Sequence, residues 1–296
     1  MRTSTGRATN GLVNLTYEQW GPGEGEPLLL IVGIGVQRHF WPDGLCAEFV
    51  AKGFDVVRFD NRDAGESTHL SQLRAPSMMS LMSVPKAVAP YRLSDMAADA
   101  VAVMDARGWS SAHVVGLSMG GMIAQTVAIR HPERVRSLVS ISSTPSPRIG
   151  RPSLAARRIF LMPPARTAEQ QADRMVRQFR IIGSPGYPLD EQWLRDYARS
   201  AFHRAHDPAG MRRQLAATMA SGSRLRGLRG VTAPTLVVHG AADPLIRPLA
   251  GRITAAAVRG STLVVHPGMG HDLPRELWPR ITADVARVAE RAAWAR

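Results

Sequence analysis

Six short, mostly apolar runs recur along the chain and constrain its fold more than any other feature. They read PLLLIVG (27–33), FDVVRFD (54–60), AHVVGLS (112–118), VRSLVSISS (135–143), APTLVVHG (233–240) and STLVVH (261–266). A strand that is apolar at consecutive positions has no wet face and must be covered on both sides. The stretches between several of these runs carry helical spacing: DGLCAEFVAKG (43–53), SDMAADAVAVMDARGW (94–109), MGGMIAQTVAIRHP (119–132), PLAGRITAAAV (248–258) and a last one near 275–295. Covered strands alternating with helices imply right-handed βαβ units and a parallel sheet. The alternating segment GLVNLTYEQWGPGEGEP (11–27) comes before them and is expected to form an antiparallel edge strand.

Between residues 145 and 230 this rhythm lapses into helical stretches cut by MPP, GSPGYP and HDPAG. The expected organisation is one α/β core, residues 1–144 and 231–296, with a helical cap at 145–230 inserted between two of its strands. That insertion holds 16 arginines against 6 acidic residues, so it carries most of the +13 net charge. No recognition helix, zinc spacing or alternation of aromatic with basic residues accompanies the charge, which argues against nucleic acid as a partner. A weaker expectation is that the basic insertion selects anionic substrates; solvated arginine surface is the plainer account. The single cysteine, Cys46, rules out an internal disulfide framework and any multi-cysteine zinc site. No apolar run reaches the ~20 residues that span a bilayer, and MRTSTGRATNG lacks the apolar stretch of a secretory signal. The expectation is a cytoplasmic protein with no membrane partner. The oligomeric state is left open, a homodimer being compatible with the sequence.

The run 112–118 ends in GLSMG (116–120) and passes directly into a helix. A Gly-x-Ser-x-Gly pentapeptide arises readily by chance, but a buried strand before it and a helix after it are the setting of a sharp turn that lifts a serine above the sheet. A serine alcohol is not nucleophilic at neutral pH and needs a base, which in turn needs an acid to orient it. Asp243 follows the strand of TLVVHGAADP, and His271 follows the strand of TLVVHPGMGHDLP. In a parallel sheet both loops emerge on the edge that carries Ser118. Other candidates fit less well. His239 and His266 lie within strands, and His113 begins the serine's own strand at the far edge. Asp272 neighbours His271 but would point elsewhere. His203, His206 and Asp207 have metal-like spacing without a further ligand, as a solvated helix end would. Asp60 and Arg62 read as a pair bracing a turn.

Acyl transfer also requires donors for an oxyanion. The backbone N–H of Met119 follows the serine, and the loop IVGIGVQRHFW (31–41) can supply a second donor, assigned to Ile34, with Gly33 and Gly35 letting substrate approach the backbone. A dinucleotide reading of Gly33-x-Gly35 fails because Arg38 stands where the third glycine is needed.

Taken together, these residues resemble the α/β-hydrolase superfamily over nearly the whole chain. The stretches FWPDGLCAEFVAKGFDVVRFDNRDAGEST, HVVGLSMGGMIAQTVAIRHPERVRSLV and PTLVVHGAADPLI…GMGHDLP are similar to bacterial serine esterases, including methylesterases that tailor polyketide antibiotics. The resemblance implies a mostly parallel eight-stranded sheet, a helical cap, Ser118 as nucleophile, Asp243 as acid and His271 as base. It implies a small-molecule ester as substrate, with neither cofactor nor metal. Two positions depart from the family pattern. Val32-Gly33 stands where His-Gly is usual, and Arg62-Asp63-Ala64-Gly65 stands for Arg-Gly-x-Gly. A ligand receptor or a non-hydrolytic cyclase on the same scaffold would not need the three residues intact, whereas a perhydrolase or thioesterase would use the same set.

Overall fold

The computed structural model describes residues 2–294. Eight strands form one sheet: β1 (Arg2–Asn10), β2 (Val13–Trp20), β3 (Glu26–Ile31), β4 (Phe54–Phe59), β5 (Ala112–Leu117), β6 (Val135–Ile141), β7 (Thr235–Gly240) and β8 (Thr262–His266). Their spatial order is β1-β2-β4-β3-β5-β6-β7-β8. The strands from β3 to β8 run parallel, while β2 is antiparallel to both β1 and β4.

Consecutive apolar residues divide between the two faces of the sheet, as the two-residue period of a strand demands. Leu29, Ile31, Val57 and Val114 pack with Met96, Val103, Ile123 and Val127 of helices Leu93–Ala106 and Met119–Arg130. Leu28, Leu30, Val56 and Val115 point the other way, onto Leu45, Phe49, Ile281 and Val285 of helices Asp43–Ala51 and Trp278–Trp294. Burying each such side chain stabilises the fold by about 1.5–3 kcal/mol. The doubly covered sheet is the α/β-hydrolase fold expected from the sequence.

The expected edge strand at 11–27 is corrected. Its strand, β2, lies one place in from the edge and is buried along nearly all its length, because residues 2–10 form an outer strand against it. Asn10 pairs with Val13 across a two-residue turn whose first position, Gly11, has φ +59°. Glycine at the first position of a two-residue loop is itself a hairpin signal. The polar, small-residue composition of residues 2–10 suits an edge and hides the strand from an apolar scan.

No strand lies between β6 and β7 among the described residues; the chain there forms the inserted helices. Helices Ala168–Ile182 and Glu191–Arg204 bury Ala172, Met175, Val176 and Phe179 against Leu194, Tyr197 and Ala198. Thr167, Asp190 and Asp207 cap helix N-termini through their side chains. Two short helices unforeseen in the sequence, Met78–Ser83 and Pro85–Val88, pack against the inserted helix Pro208–Ala220. Among the described residues no helix is long and apolar enough to cross a membrane.

The expected Asp60–Arg62 pair is also corrected, since each residue finds a different buried partner. The Asp60 carboxylate accepts from the Arg38 backbone at 2.6 Å and from the Arg38 guanidinium. Arg62 donates to both carboxylate oxygens of Asp99 at 2.6 and 2.7 Å. His203 and His206 do not gather with Asp207. His206 stacks on Phe202 with ring centroids 4.5 Å apart. Asp207 instead faces His69 at 2.9 Å and Arg213 at 3.0 Å. Although Asp63, His69 and Asp207 lie close together, the Arg213 guanidinium binds both carboxylates and supplies the positive charge that a metal ion would bring.

Candidate active site

Ser118 is the hinge between β5 and helix Met119–Arg130, with φ +57° and ψ −117°. A non-glycine residue in this region is strained by about 1–3 kcal/mol, so the surroundings must hold it there. They do so from three sides. The Ser118 N–H donates to Ile141 O at 2.9 Å, its carbonyl accepts from Met122 N at 3.2 Å, and the Ser143 hydroxyl donates to the same carbonyl at 2.7 Å. The helix can start this close to the sheet only because position 120 is glycine: a Cβ there would sit 2.0 Å from Ile31 O.

Loops after β7 and β8 bring the other two residues to Ser118. His271 Nε2 lies 3.0 Å from Ser118 Oγ, and His271 Nδ1 lies 2.7 Å from Asp243 Oδ2. With Nδ1–H donating to the carboxylate, Nε2 presents its lone pair to the serine hydroxyl. Asp243 is fully buried. Its Oδ1 accepts the N–H groups of Leu245 and Ile246, both at 2.9 Å, so the carboxylate cannot swing away from the imidazole. Beneath it, His239 Nε2 donates to Ile246 O at 2.7 Å and stands 3.6 Å from Asp243 Oδ2. Burial holds the His239 pKa below its ordinary value, so a neutral ring supports the loop. The arrangement can draw a proton from the Ser118 hydroxyl and stabilise the imidazolium that results.

Met119 is the first helical residue, and its N–H has no carbonyl one turn earlier in the helix to bond. Gly33 lies against the serine, its missing Cβ falling 3.4 Å from Ser118 Cβ. Ile34 follows in the same turn, partly buried against the core. Gly35 faces the insertion: its N–H donates to Gln214 Oε1 at 2.8 Å, and a Cβ would meet Met211. The next residues of this loop are held by the insertion as well, Gln37 N donating to the Tyr197 hydroxyl at 2.8 Å. His113 sits at the opposite end of β5 with Nδ1 2.8 Å from Ser137 Oγ.

Several residues that shape the site carried no sequence signal: Ser143, Gln214 and the two N–H donors to Asp243. Each contributes through backbone geometry or a partner more than about twenty residues away, apart from the local turn 243–246. Five of the inserted arginines are held in ion pairs. Arg180, Arg195 and Arg199 pair with Glu191, Asp173 and Glu169, while Arg204 and Arg213 reach core carboxylates.

A hydroxyl, an imidazole and a carboxylate in hydrogen-bonded sequence, at the C-terminal edge of a parallel sheet covered on both faces, define a hydrolase of the α/β type. Comparison with known proteins agrees, and the chain belongs to the alpha/beta hydrolase fold family, whose sequence model matches residues 26–274. It is similar to a rhodomycin D methylesterase of Streptomyces peucetius, 30% identical over 289 residues that cover 90% of this chain and 91% of that protein. It is also similar to a putative carbamate hydrolase of Variovorax paradoxus, 29% identical over 264 residues, 87% of this chain and 89% of the other. Among solved structures, a meta-cleavage product hydrolase from Pseudomonas fluorescens IP01 superposes with a TM-score of 0.74 at 19% identity, covering 97% and 98% of the two chains. At that identity the likeness shows the fold alone.

Proposed function

We propose that the protein is a serine hydrolase of carboxylic esters that works through an acyl-enzyme. His271 takes the Ser118 proton as Oγ attacks the ester carbonyl, and Asp243 holds the imidazole in its tautomer and balances its charge. The N–H groups of Met119 and Ile34 receive the oxyanion. His271 then returns the proton to the departing alcohol, forming the acyl-enzyme, and water repeats the cycle to release the acid. The observation that carries this reading is the continuous hydrogen-bonded path from Ser118 Oγ through His271 to Asp243, at 3.0 and 2.7 Å. Residues 145–230 serve as a cap over the site. The substrate is a small to medium apolar ester, because the cap arginines that reach the core are already engaged: Arg204 and Arg213 by Asp60, Asp63, Glu66 and Asp207, and Arg224 by the Gln125 side chain and the Thr144 carbonyl. The methylesterase relative supports an ester rather than an amide, and a methyl ester is the first substrate to try.

Ser118→Ala removes the nucleophile and is expected to lower kcat on a p-nitrophenyl ester by about 10⁴- to 10⁶-fold, as loss of a nucleophile does in other enzymes of this mechanism. Labelling by a serine-directed phosphonate is lost with it. Hydrolysis at the unmodified rate would refute the assignment.

A further inference from the structure

The loop that carries His271 is held by the insertion as much as by the sheet it follows. Residues 182–186 and 268–272 run antiparallel and in contact. His271 N donates to Ile182 O at 2.7 Å, Gly270 N donates to Ser184 Oγ at 2.8 Å, and Gly186 N donates to Gly268 O at 3.0 Å. The Ser184 hydroxyl in turn donates to Asp272 Oδ1, and the same carboxylate accepts the Ser184 N–H. This close approach needs glycine at 270, since a Cβ there would fall 2.1 Å from Gly183 O. In the sequence, GSPG (183–186) reads only as a helix terminator, and Asp272 only as a neighbour of the histidine.

We propose that Ser184 and Asp272 form a positioning pair for His271, so that the cap supplies part of the seat of the base. The inference rests on the esterase reading of the site. Ser184 uses its single hydroxyl in both directions: it accepts from the amide before His271 and donates to the carboxylate after it. The residues on either side of His271 are thereby tied to one atom of the insertion, Gly270 by its N–H and Asp272 by its carboxylate. Neither residue touches the reacting atoms. Their effect passes through the angle at which Nε2 meets Ser118 Oγ, and a displacement near 1 Å at such a contact reduces rate by about 10²-fold. Burial raises the Asp272 pKa above the ordinary carboxylate value, against the bonds from Ser184 and its own N–H, in keeping with a carboxylate placed for structure rather than for solvent.

Ser184→Ala, Ser184→Thr and Asp272→Asn test the pair, with kcat and KM on a p-nitrophenyl ester read beside the downfield proton resonance of His271 Nδ1–H. The expected result for Ser184→Ala is a fall in kcat of about 10- to 100-fold, a KM within about twofold, and a weakened or lost resonance. The threonine variant keeps the hydroxyl and restores both readouts. Asp272→Asn preserves volume and serves if the alanine variant does not fold; its expected loss in kcat is smaller, several-fold. Wild-type kcat and an unchanged resonance in Ser184→Ala, or failure of threonine to rescue either, would overturn the pair. The resonance is read without turnover, so it decides the pair even if the esterase reading fails through a Ser118→Ala variant that still hydrolyses ester.

Discussion

The loop of Ser118 and the loop of His271 arrive at the same point by opposite means. The serine turn is held almost entirely by what lies beside it: the start of its own helix, the β6 carbonyl of Ile141 and the Ile31 carbonyl pressed against Gly120. The histidine loop is long, and five of its hydrogen bonds go to residues 182–186, some 85 positions away in sequence. A strained turn must be enforced by rigid neighbours. A longer loop has no such enforcement of its own and borrows it from the insertion. The loop after β3 behaves like the histidine loop, with Gly35 bonded to Gln214 and Gln37 to Tyr197. The insertion therefore helps to hold the site, because the loop of Asp243 leans on it too: Arg247 N donates to Gly150 O at 3.1 Å and Ser153 N to Pro244 O at 2.9 Å.

The contrast can be broken first at the serine turn. Gly120→Ala puts a methyl group 2.0 Å from the Ile31 carbonyl, where neither backbone segment can retreat. The expected loss is about 3 kcal/mol or more, at the upper end for forced overpacking, and thermal unfolding measures it. Next comes the junction between insertion and core. Arg213 binds both oxygens of Asp63, at 2.9 and 2.7 Å, and Arg213→Ala leaves that buried carboxylate with two neutral donors, the Tyr91 hydroxyl and the Leu70 N–H. A destabilisation of about 3–5 kcal/mol is expected in urea unfolding, much of it from stranding Asp63.

Two smaller effects sharpen the comparison. Ser143→Ala removes the side-chain bond to the Ser118 carbonyl, with an expected stability loss of about 1 kcal/mol and a several-fold fall in kcat. A full catalytic rate in that variant would mean that the turn is held by backbone alone. Glu66 ties the insertion to the core through Arg204 and Arg38, at 2.7 and 2.6 Å. Burial is the largest single influence and raises its pKa, but the bonds and charges of the two arginines together outweigh it and bring it from the usual 4.5 down to about 2. A depressed carboxylate contributes stability that is fully present above pH 4.5 and is lost as pH falls toward about 2, because the unfolded chain takes up the proton first. Glu66→Gln should flatten acid unfolding across that window and leave the neutral-pH slope unchanged. With Glu66 partly exposed, salt should weaken the effect.

Much of the fold was legible in the sequence, for a reason that particular residues show. Leu28 to Val32, and likewise Val114 and Val115, are apolar at successive positions, which only a doubly covered strand tolerates. The pairing of Asp60 and Arg62 was misread because adjacent opposite charges in a sequence say nothing of the closer partners, Arg38 and Asp99, that folding brings in. The outer strand at residues 2–10 escaped notice because an edge needs no apolar run.

The amino-acid sequence by itself determined the parallel part of the sheet, the helices that cover it, and the three loops on which Ser118, Asp243 and His271 stand. Those follow from local periodicity and from the one-way connections of a parallel sheet, which collect successive strand ends on a single edge. Only the tertiary structure decided that 182–186 lies against 268–272, that Gln214 meets Gly35, and that Arg204 and Arg213 lock the insertion to the turn after β4. Each of those contacts joins segments about 80 or more residues apart. Their closure depends on where whole helices pack, and no short window of sequence encodes that.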